Sequence, residues 1–489
     1  MMVVNSYSFL LFFVVVFIVY YLPVFKKTPM FQNTWLLLVS YVFYGMADWR
    51  MIPLLLGTTI VFWLIGLWLH RQMEEGHTRA ASRITTLSVV LGVGILLYFK
   101  YLNFFVESLA ELLNAIGLQV SWTTLNIILP IGVSFFTFKL ISYIIEIHRE
   151  HIQPCRDLTE FAAYIAFFPT ILSGPIDRPD KFLPQMKQVH TLDYSLAADG
   201  CRQILWGMFT KMCIADNLAI ITNQAWNGFD HLPSTMLLIA ALLYPIQLYA
   251  DFDGYSNMAI GVGKILGYRV NRNFNHPFLA RNMAEYWRRW HMSLTGWITD
   301  YVFMPLNIAF RNIGNWGIVM AALINLILIG LWHGANWTYG VFGLYHGLLF
   351  IPLILSGSFG KNKKLKANSH DLPFLKDFGK MLGTFCLVAI GHIIFRADNI
   401  AEAMAFIQAM TTNGLEGGSI IDSYGKLYIG FAIVLLMIEW IQRKEEHALQ
   451  LQAFKLFHSR AMRYALYLFI ILLILTFTGK SQAFIYFQF

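Results

Sequence analysis

The sequence predicts an all-α polytopic membrane protein, and three observations support this fold class. Of the 489 residues, 57% are hydrophobic and only 13% are charged, about half the charged fraction that is usual in a soluble domain. Apolar runs of roughly 20 residues, each long enough to cross the ~30 Å hydrocarbon core, recur along the whole chain. The sequence lacks the alternation over about ten residues that is typical of membrane β-strands.

The predicted helices follow from the apolar segments, which give about 11 to 14 candidates. Two of them, 160–174 and 297–310, are short or contain proline, so we expect them to enter the membrane without crossing it. The first segment lacks a signal-peptide cleavage site and is expected to be retained. The segments lie near residues 7–25, 31–48, 52–70, 84–107, 125–147, 160–174, 200–224, 235–263, 297–310, 316–333, 336–356, 378–395, 425–442 and 462–478.

Orientation and domain organisation follow from the basic residues and from the spacing of the segments. Lys and Arg collect on the inner side of a membrane protein, and they follow the first and third segments here, so the N-terminus is predicted to lie outside. We predict a single integral-membrane domain over 1–489, with N-terminal helices at 1–110, a core at about 125–400 and C-terminal helices at 425–489. The net charge of +8 is assigned to this topology, because no soluble basic domain is present to bind nucleic acid.

The cysteines predict neither a metal site nor a bound cofactor. Cys155, Cys201, Cys213 and Cys386 are scattered and lack the spacing of metal-binding or redox motifs. We expect all four to be free residues that contribute to packing.

The stretch from Leu323 to Leu349 is the centre of the functional prediction. Its apolar run contains His333, which a helix would hold at hydrocarbon depth, where an ionisable side chain is costly and marks a functional site. Because an imidazole titrates near neutrality, one interpretation makes His333 a general base. The other interpretation makes it a structural histidine between helices, or a lone pore residue, and both stand at this point.

His346 follows His333 by thirteen residues. On one continuous helix the two side chains would point about 220° apart, so they could share a pocket only if Gly334–Trp337 broke the helix. His346 is therefore predicted to be structural, and His392 is predicted to be a packing residue.

The stretch Arg281–Pro305 combines basic and aromatic residues. Arg288, Arg289 and His291 lie among a tyrosine and three tryptophans, and helical spacing predicts that Glu285 pairs with an arginine. Because arginine binds phosphate well, one interpretation is an inner-side anion site followed by a second histidine that enters the core. The interpretation we favour for the arginines is a positive-inside interfacial helix with an aromatic belt.

Two carboxylates, Asp251 and Asp253, lie within the apolar segment 235–263. A buried carboxylate needs a partner, so each either orients a catalytic histidine or pairs with the arginines of 269–289. Structural pairing is the favoured interpretation, and Asp253 is kept among the candidate substrate-binding residues.

Eight stretches together carry a likeness to a known family. They resemble, in order and over nearly the whole chain, the bacterial membrane-bound O-acyltransferases (MBOAT), on the alginate O-acetyltransferase branch. The chain is also similar to the D-alanyl transferases of teichoic acid modification, but its length and ending favour the alginate branch. One departure is His392, where that branch is expected to carry tryptophan. The stretches are YFKYLNFF (98–105), LPIGVSFFTFKLISY (129–143), FFPTILSGPIDRP (167–179), QLYADFDGYSNMAIGVGKILGY (247–268), EYWRRWHMSLTGWITDYVFMPL (285–306), GLWHGANWTYGVFGLYHG (330–347), IIFRADN (393–399) and FIYFQF (484–489).

The resemblance implies a ring of helices around a central tunnel, in the inner membrane of a bacterium. A donor would approach this tunnel from the cytoplasm and an acceptor from outside. The resemblance further implies that His333, in the Trp-His-Gly motif, is the family's essential histidine. His291 would be the second histidine that lines the same tunnel.

The chemistry that this resemblance implies is the transfer of an acetyl group from acetyl-CoA to an exopolysaccharide hydroxyl. His333 would accept the hydroxyl proton, and His291, Trp332 or Asn336 would assist. The acetyl group would leave the membrane through an extracytoplasmic partner protein, and lipids would surround the chain. Two alternatives are a D-alanyl or other acyl transferase of cell-wall polymers and, in a different class, a proton-coupled permease. The arginines expected to meet the CoA phosphates are Arg269, Arg272, Arg288 and Arg289.

Overall fold

The computed structural model describes residues 4–122, 125, 127–359, 375–415, 418–451, 454–478, 482 and 484. Within these residues every regular element is a helix, which confirms the all-α prediction. The helices are α1 (Tyr7–Tyr20), α2 (Pro29–Asp48), α3 (Ile52–Glu74), α4 (Thr78–Leu96), α5 (Leu102–Ala115), α6 (Val133–His148), α7 (Leu158–Ala166), α8 (Pro179–Met186), α9 (Tyr194–Phe209), α10 (Asp216–Asn227), α11 (Ser234–Ile265), α12 (Met283–Trp287), α13 (Met292–Ile298), α14 (Met304–Ala309), α15 (Asn315–His333), α16 (Trp337–Leu348), α17 (Ile351–Leu355), α18 (Leu375–Arg396), α19 (Ile400–Thr412), α20 (Ser423–Ile441) and α21 (Arg460–Phe477).

Nine helical stretches of the described chain are long and apolar enough to cross a membrane. The stretch Pro29–Glu74 has 46 residues, which is enough for two crossings of roughly 20 residues each. Of the two predicted re-entrant segments, 160–174 contains only part of α7. This helix has 9 residues, or about 14 Å, which is less than half the hydrocarbon thickness and agrees with the prediction that the segment does not cross alone. The segment 297–310 differs, because it lies in a helical run that continues from Met292 to Ala309 through a π-helical turn at Thr299–Phe303.

The chain divides into two compact units. The first contains residues 1–204 and 259–271, and the second contains residues 205–258 and 272–489. All candidate catalytic and binding residues except Arg269 therefore belong to the second unit. Of the FIYFQF stretch (484–489), only Phe484 lies within the described residues.

The first unit is held together partly by polar bonds in its interior. The Lys139 ammonium donates hydrogen bonds to the carbonyl oxygen of Tyr164 at 3.2 Å and to the hydroxyl of Thr170 at 3.1 Å. Gly132, at the start of α6, has a φ of 75°, and a Cβ there would lie only 2.3 Å from the carbonyl oxygen of Ile171. Glycine is required at this position because it tolerates both the left-handed backbone and the close approach.

In the second unit, α15 and α16 form a closely packed hairpin. A Cβ at Gly330 would lie 2.1 Å from the carbonyl oxygen of Tyr339, and one at Gly343 would lie 2.4 Å from that of Leu326. The two backbones therefore approach more closely than any larger side chain allows, a use of small residues that is common between membrane helices. The hairpin fixes the position of His333, which is the last residue of its first helix.

Candidate functional site

The helix that carries His333 ends at that residue. Gly334 is extended, with φ −173° and ψ 161°, and Asn336 then begins α16 by accepting a hydrogen bond from the backbone N–H of Thr338 at 2.9 Å. Asparagine is a preferred residue at this capping position. His333 and His346 thus lie on different helices, so the angle predicted for one continuous helix does not apply.

His291 lies at a bend between α12 and α13 and has a left-handed backbone, with φ 44° and ψ 52°. Such a conformation is uncommon for a residue other than glycine. Two backbone hydrogen bonds flank the bend, from Met292 to the carbonyl of Asn273 at 2.7 Å and from Asn275 to the carbonyl of Arg289 at 3.0 Å. These bonds hold a conformation that the chain would otherwise seldom adopt.

The fold brings the two predicted histidines together. The ring centroids of His291 and His333 are 6.4 Å apart, and the exposed fractions of these residues are 0% and 4%. The Trp332 ring lies 5.4 Å from His291 and 5.0 Å from His333. Phe252 contacts His291 edge to face at 4.7 Å, and Phe395 contacts His333 in the same way at 5.1 Å. The pair is therefore enclosed by protein rather than exposed to lipid.

Glu285 forms ion pairs with two of the arginines in its own stretch. Arg281 Nε lies 3.1 Å from one carboxylate oxygen, and Arg289 Nη2 lies 2.9 Å from the other. Burial raises the pKa of Glu285. Hydrogen bonds from the Arg281 backbone and from both guanidinium groups, together with the charge of Arg289, outweigh this effect and leave the pKa below its ordinary value. The predicted pairing of Glu285 with arginine is confirmed.

The other candidate arginines have different surroundings. Arg288 is exposed, and its guanidinium lies 3.5 Å from the carbonyl oxygen of Phe359. Arg272 is half-buried in the second unit, whereas Arg269 is exposed in the first. Of these arginines, Arg288 presents the most accessible charge near the Glu285 ion pairs.

A polar cavity of about 320 Å³ lies near His333. Its volume is at the small end of the range usual for ligand sites. Asn336, Tyr339 and Phe395 line it, together with Arg396 and charged residues of α11 and its neighbours. The Phe395 ring also contacts His333, so this side chain lies between the cavity and the imidazole.

A buried ion cluster forms part of the cavity wall. Lys211 Nζ lies 2.6 Å from Asp216 and 2.5 Å from Asp251. Asp251 therefore pairs with a lysine of a different helix, and its predicted pairing with an arginine of 269–289 is wrong. Lys211 is not among the residues predicted from the sequence, although an ionisable residue within an apolar segment is a signal of a functional site.

Arg281, Arg288 and Arg289, which form an arginine cluster around Glu285, and the polar cavity lie near opposite ends of α18. At the start of this helix, Asp377 lies 3.9 Å from Arg281; at its end, Arg396 lines the cavity. The helix has 22 residues, which correspond to about 33 Å, close to the thickness of the hydrocarbon core. The histidine pair thus has the arginine cluster towards one end of α18 and the polar cavity towards the other. The positive-inside rule predicts that the end with the arginine cluster, which we call the basic face, is cytoplasmic.

The remaining predicted residues divide between these features. Asn336, besides its capping role, donates a hydrogen bond to the carbonyl of Asp398 at 2.6 Å and lines the cavity. Asp253 accepts a hydrogen bond from Asn257 at 2.7 Å and lines a different, much smaller cavity that also contains Glu439. The structure therefore places Asn336, but not Asp253, in the cavity beside His333.

The other two central histidines have packing contacts. His346 accepts a hydrogen bond from Trp287 Nε1 at 3.3 Å, and His392 donates from Nδ1 to the carbonyl of Val388 at 2.8 Å. Neither lines the cavity of about 320 Å³. In the part of the chain that the structure describes, no group of three or more His, Cys, Asp or Glu side chains is arranged to hold a metal ion.

Comparison with known proteins agrees with these features. The sequence model of the MBOAT, membrane-bound O-acyltransferase family matches residues 148–365. The chain is 39% identical to the probable alginate O-acetylase AlgI of Pseudomonas aeruginosa, over 84% of this chain and 75% of that protein. It is 29% identical to the peptidoglycan O-acetyltransferase of Helicobacter pylori, over 82% and 77% of the two chains.

A likeness over a smaller share of this chain is to a protein named for a different acyl group. It is 32% identical to the teichoic acid D-alanyltransferase of Streptococcus thermophilus, over 60% of this chain and 75% of that protein. The apolar helices and the bacterial relatives together indicate a multi-pass protein of the bacterial inner membrane. The chain belongs to the membrane-bound O-acyltransferase family, on the branch of the bacterial alginate O-acetylases, and is an O-acyltransferase.

Proposed function

We propose that this protein takes an acetyl group from cytoplasmic acetyl-CoA and passes it across the membrane for O-acetylation of an exopolysaccharide such as alginate. The observation that carries the proposal is the buried pair of His291 and His333, which lies between a basic cluster and a polar cavity near opposite ends of one membrane-length helix. If the basic cluster binds the donor and the polar cavity binds the acceptor, the histidine pair between them is placed for transfer through the membrane.

In the proposed reaction, His333 is the general base. It accepts the proton of the acceptor hydroxyl while the hydroxyl oxygen attacks the thioester carbonyl. The C–O bond forms, the C–S bond breaks, and the proton passes from the imidazolium to the departing CoA thiolate. A tetrahedral intermediate carries negative charge on its oxygen and needs a hydrogen-bond donor nearby. His291, at 6.4 Å between ring centroids, is the candidate for that donor.

The donor is assigned to the basic face because CoA carries phosphates, which arginine binds as a charge-assisted bidentate donor. Arg288 is exposed on this face, whereas Arg289 is already occupied by Glu285. We therefore assign the first phosphate contact to Arg288. The histidines need only the thioester end of the molecule, so the nucleotide remains at the cytoplasmic surface.

The acceptor is assigned to the polar cavity. Its wall combines hydroxyl, amide and carboxylate groups of Tyr339, Asn336 and Asp251, which form hydrogen bonds to an alcohol. The relatives named as alginate and peptidoglycan O-acetylating enzymes favour a glycan as the final acceptor. An extracytoplasmic acetyltransferase would then receive the group from this protein and deliver it to the polymer.

The test is the acetylation of the polymer by His333→Ala in cells, with the amount of protein in the membrane measured in parallel. General-base removal typically costs a factor of about 10² to 10⁴ in rate, so O-acetyl groups on the polymer should fall below detection while the protein persists. His392→Trp is the matched control, because it changes another buried histidine of the same unit that does not line the cavity. Normal acetylation by His333→Ala would refute the proposed mechanism.

Two alternatives are separated by the choice of donor. The likeness to a teichoic acid D-alanyltransferase favours a D-alanyl thioester of a carrier protein as the second candidate. Purified protein in detergent should release CoA from acetyl-CoA; consumption of only the D-alanyl thioester would favour that second candidate. A proton-coupled permease would consume neither donor.

A further inference from the structure

The side chain of Phe395 lies between the cavity and His333, the proposed base. Its side chain lines the cavity wall, and its ring meets the His333 ring edge to face with centroids 5.1 Å apart. His333 itself is 4% exposed and is not part of the described cavity lining. The Phe395 ring therefore stands in the direct path from the cavity to the imidazole.

The backbone that carries Phe395 is held in place. The guanidinium of the next residue, Arg396, donates a hydrogen bond to Asn223 at 3.1 Å and lies 5.4 Å from the centre of the Trp226 ring. Asn336 bonds to the carbonyl of Asp398 just beyond. With the end of α18 fixed from two sides, the motion that opens the passage is a rotation of the Phe395 side chain rather than a shift of the helix.

The ring also has neighbours that define its closed position. Tyr339 and Phe342 each contact it with centroids 5.1 Å apart, and Tyr339 lines the cavity as well. These aromatic contacts favour one ring position, which an incoming acceptor would replace with its own contacts.

We propose that Phe395 is an acceptor gate, which keeps cavity water from His333 and the donor thioester until an acceptor hydroxyl displaces the ring. This inference rests on the proposed function and adds a specificity residue to it. Exclusion of water prevents hydrolysis of a reactive acyl donor. Without the gate, water would take the place of the acceptor. Its oxygen bonds to the acetyl carbon and the C–S bond breaks. One proton of the water passes to the CoA thiolate, the other is released to solvent, and acetate and CoA leave.

The experiment measures CoA thiol release from acetyl-CoA by purified full-length protein in detergent, without any acceptor. Phe395→Ala should raise this hydrolysis by roughly tenfold, which corresponds to removing about 1.4 kcal/mol from the barrier. Phe395→Leu should restore most of the block, because it refills the gap with an apolar side chain. Loss of structure alone would lower activity and would not produce this increase.

Two controls make the result specific. Phe209→Ala removes a buried phenylalanine of the same unit that neither lines the cavity nor packs around Phe395, so it should leave hydrolysis unchanged. In the double variant Phe395→Ala with His333→Ala, the additional hydrolysis should disappear, because it requires the same base. If the wild type transfers acetyl to polymer but Phe395→Ala shows no increase, the gate is refuted and the proposed function stands. If neither the wild type nor any variant releases CoA, the proposed function fails and the gate fails with it.

Discussion

Asn336 Nδ2 lies 2.6 Å from the carbonyl oxygen of Asp398, so the turn that follows the His333 helix is bonded to the end of α18. The same side chain caps α16 through its oxygen. One residue therefore uses both halves of its amide to fix the turn beside the proposed base.

The two roles of Asn336 are separable by substitution. Asn336→Asp keeps the capping oxygen and loses the N–H donor, whereas Asn336→Ala loses both. We expect Asn336→Ala to lower the unfolding free energy by about 1 kcal/mol more than Asn336→Asp, because that is the usual value of an N-cap. Thermal unfolding in detergent measures the difference. Equal melting temperatures for the two variants would show that the cap contributes nothing.

The close packing of α15 against α16 gives a second prediction. Gly330→Ala places a methyl group 2.1 Å from the carbonyl oxygen of Tyr339, and overpacking of this kind typically costs about 1–3 kcal/mol. We expect a lower melting temperature and, because the hairpin positions His333, a lower transfer rate. Gly340→Ala is the control on the same hairpin, since its added methyl would meet only the Leu331 side chain at 3.5 Å. A Gly330→Ala protein with wild-type stability and rate would contradict this account of the hairpin.

The sequence allowed the fold class and His333 to be predicted from local signals, whereas the place of His291 beside it followed only from the family resemblance. Apolar runs mark helices, and the pairing of Glu285 follows from i, i+4 spacing. The sequence leaves the end of the helix at His333 open, although Gly334 is a residue type that often follows a helix and Asn336 is a residue type that often starts one.

What the sequence could not supply was the set of contacts between helices. Asp251 pairs with Lys211, forty positions earlier on a different helix, and no local pattern identifies that partner. Phe395 is one of 41 phenylalanines, and nothing in its local sequence distinguishes a ring beside the base from one that packs in a core. Such assignments depend on how helices pack, and packing is specified by shape over the whole unit.

The ion pairs of Glu285 predict a pH dependence of stability. Its pKa is lowered in the folded protein, so its stabilising contribution is complete above the ordinary glutamate pKa of about 4.3 and is lost as the pH falls through the lower folded value. We expect the wild type to lose stability in that acidic window. Glu285→Gln should be less stable than the wild type at neutral pH, and the two should converge on acidification. Melting temperatures measured from pH 7 downwards test this, and a constant difference at every pH would contradict it.

Arg288 and Arg289 are adjacent in sequence, yet we expect their removal to affect different properties, namely donor binding for Arg288 and stability for Arg289. Arg289 is bound to Glu285 at 2.9 Å, so Arg289→Ala leaves a partly buried carboxylate with fewer partners and should lower the melting temperature. Arg288 is exposed and is assigned to a CoA phosphate. Arg288→Ala should therefore leave stability unchanged and raise the KM for acetyl-CoA by about tenfold, within the range for a charge-assisted hydrogen bond.

Because salt screens exposed charges, the wild-type KM should rise with ionic strength more steeply than that of Arg288→Ala. Arg460→Ala, which removes an exposed arginine at the start of α21, is the matched control for net charge. A KM that responds equally to Arg288→Ala and Arg460→Ala would assign the effect to the overall charge of the protein and remove Arg288 from the donor site.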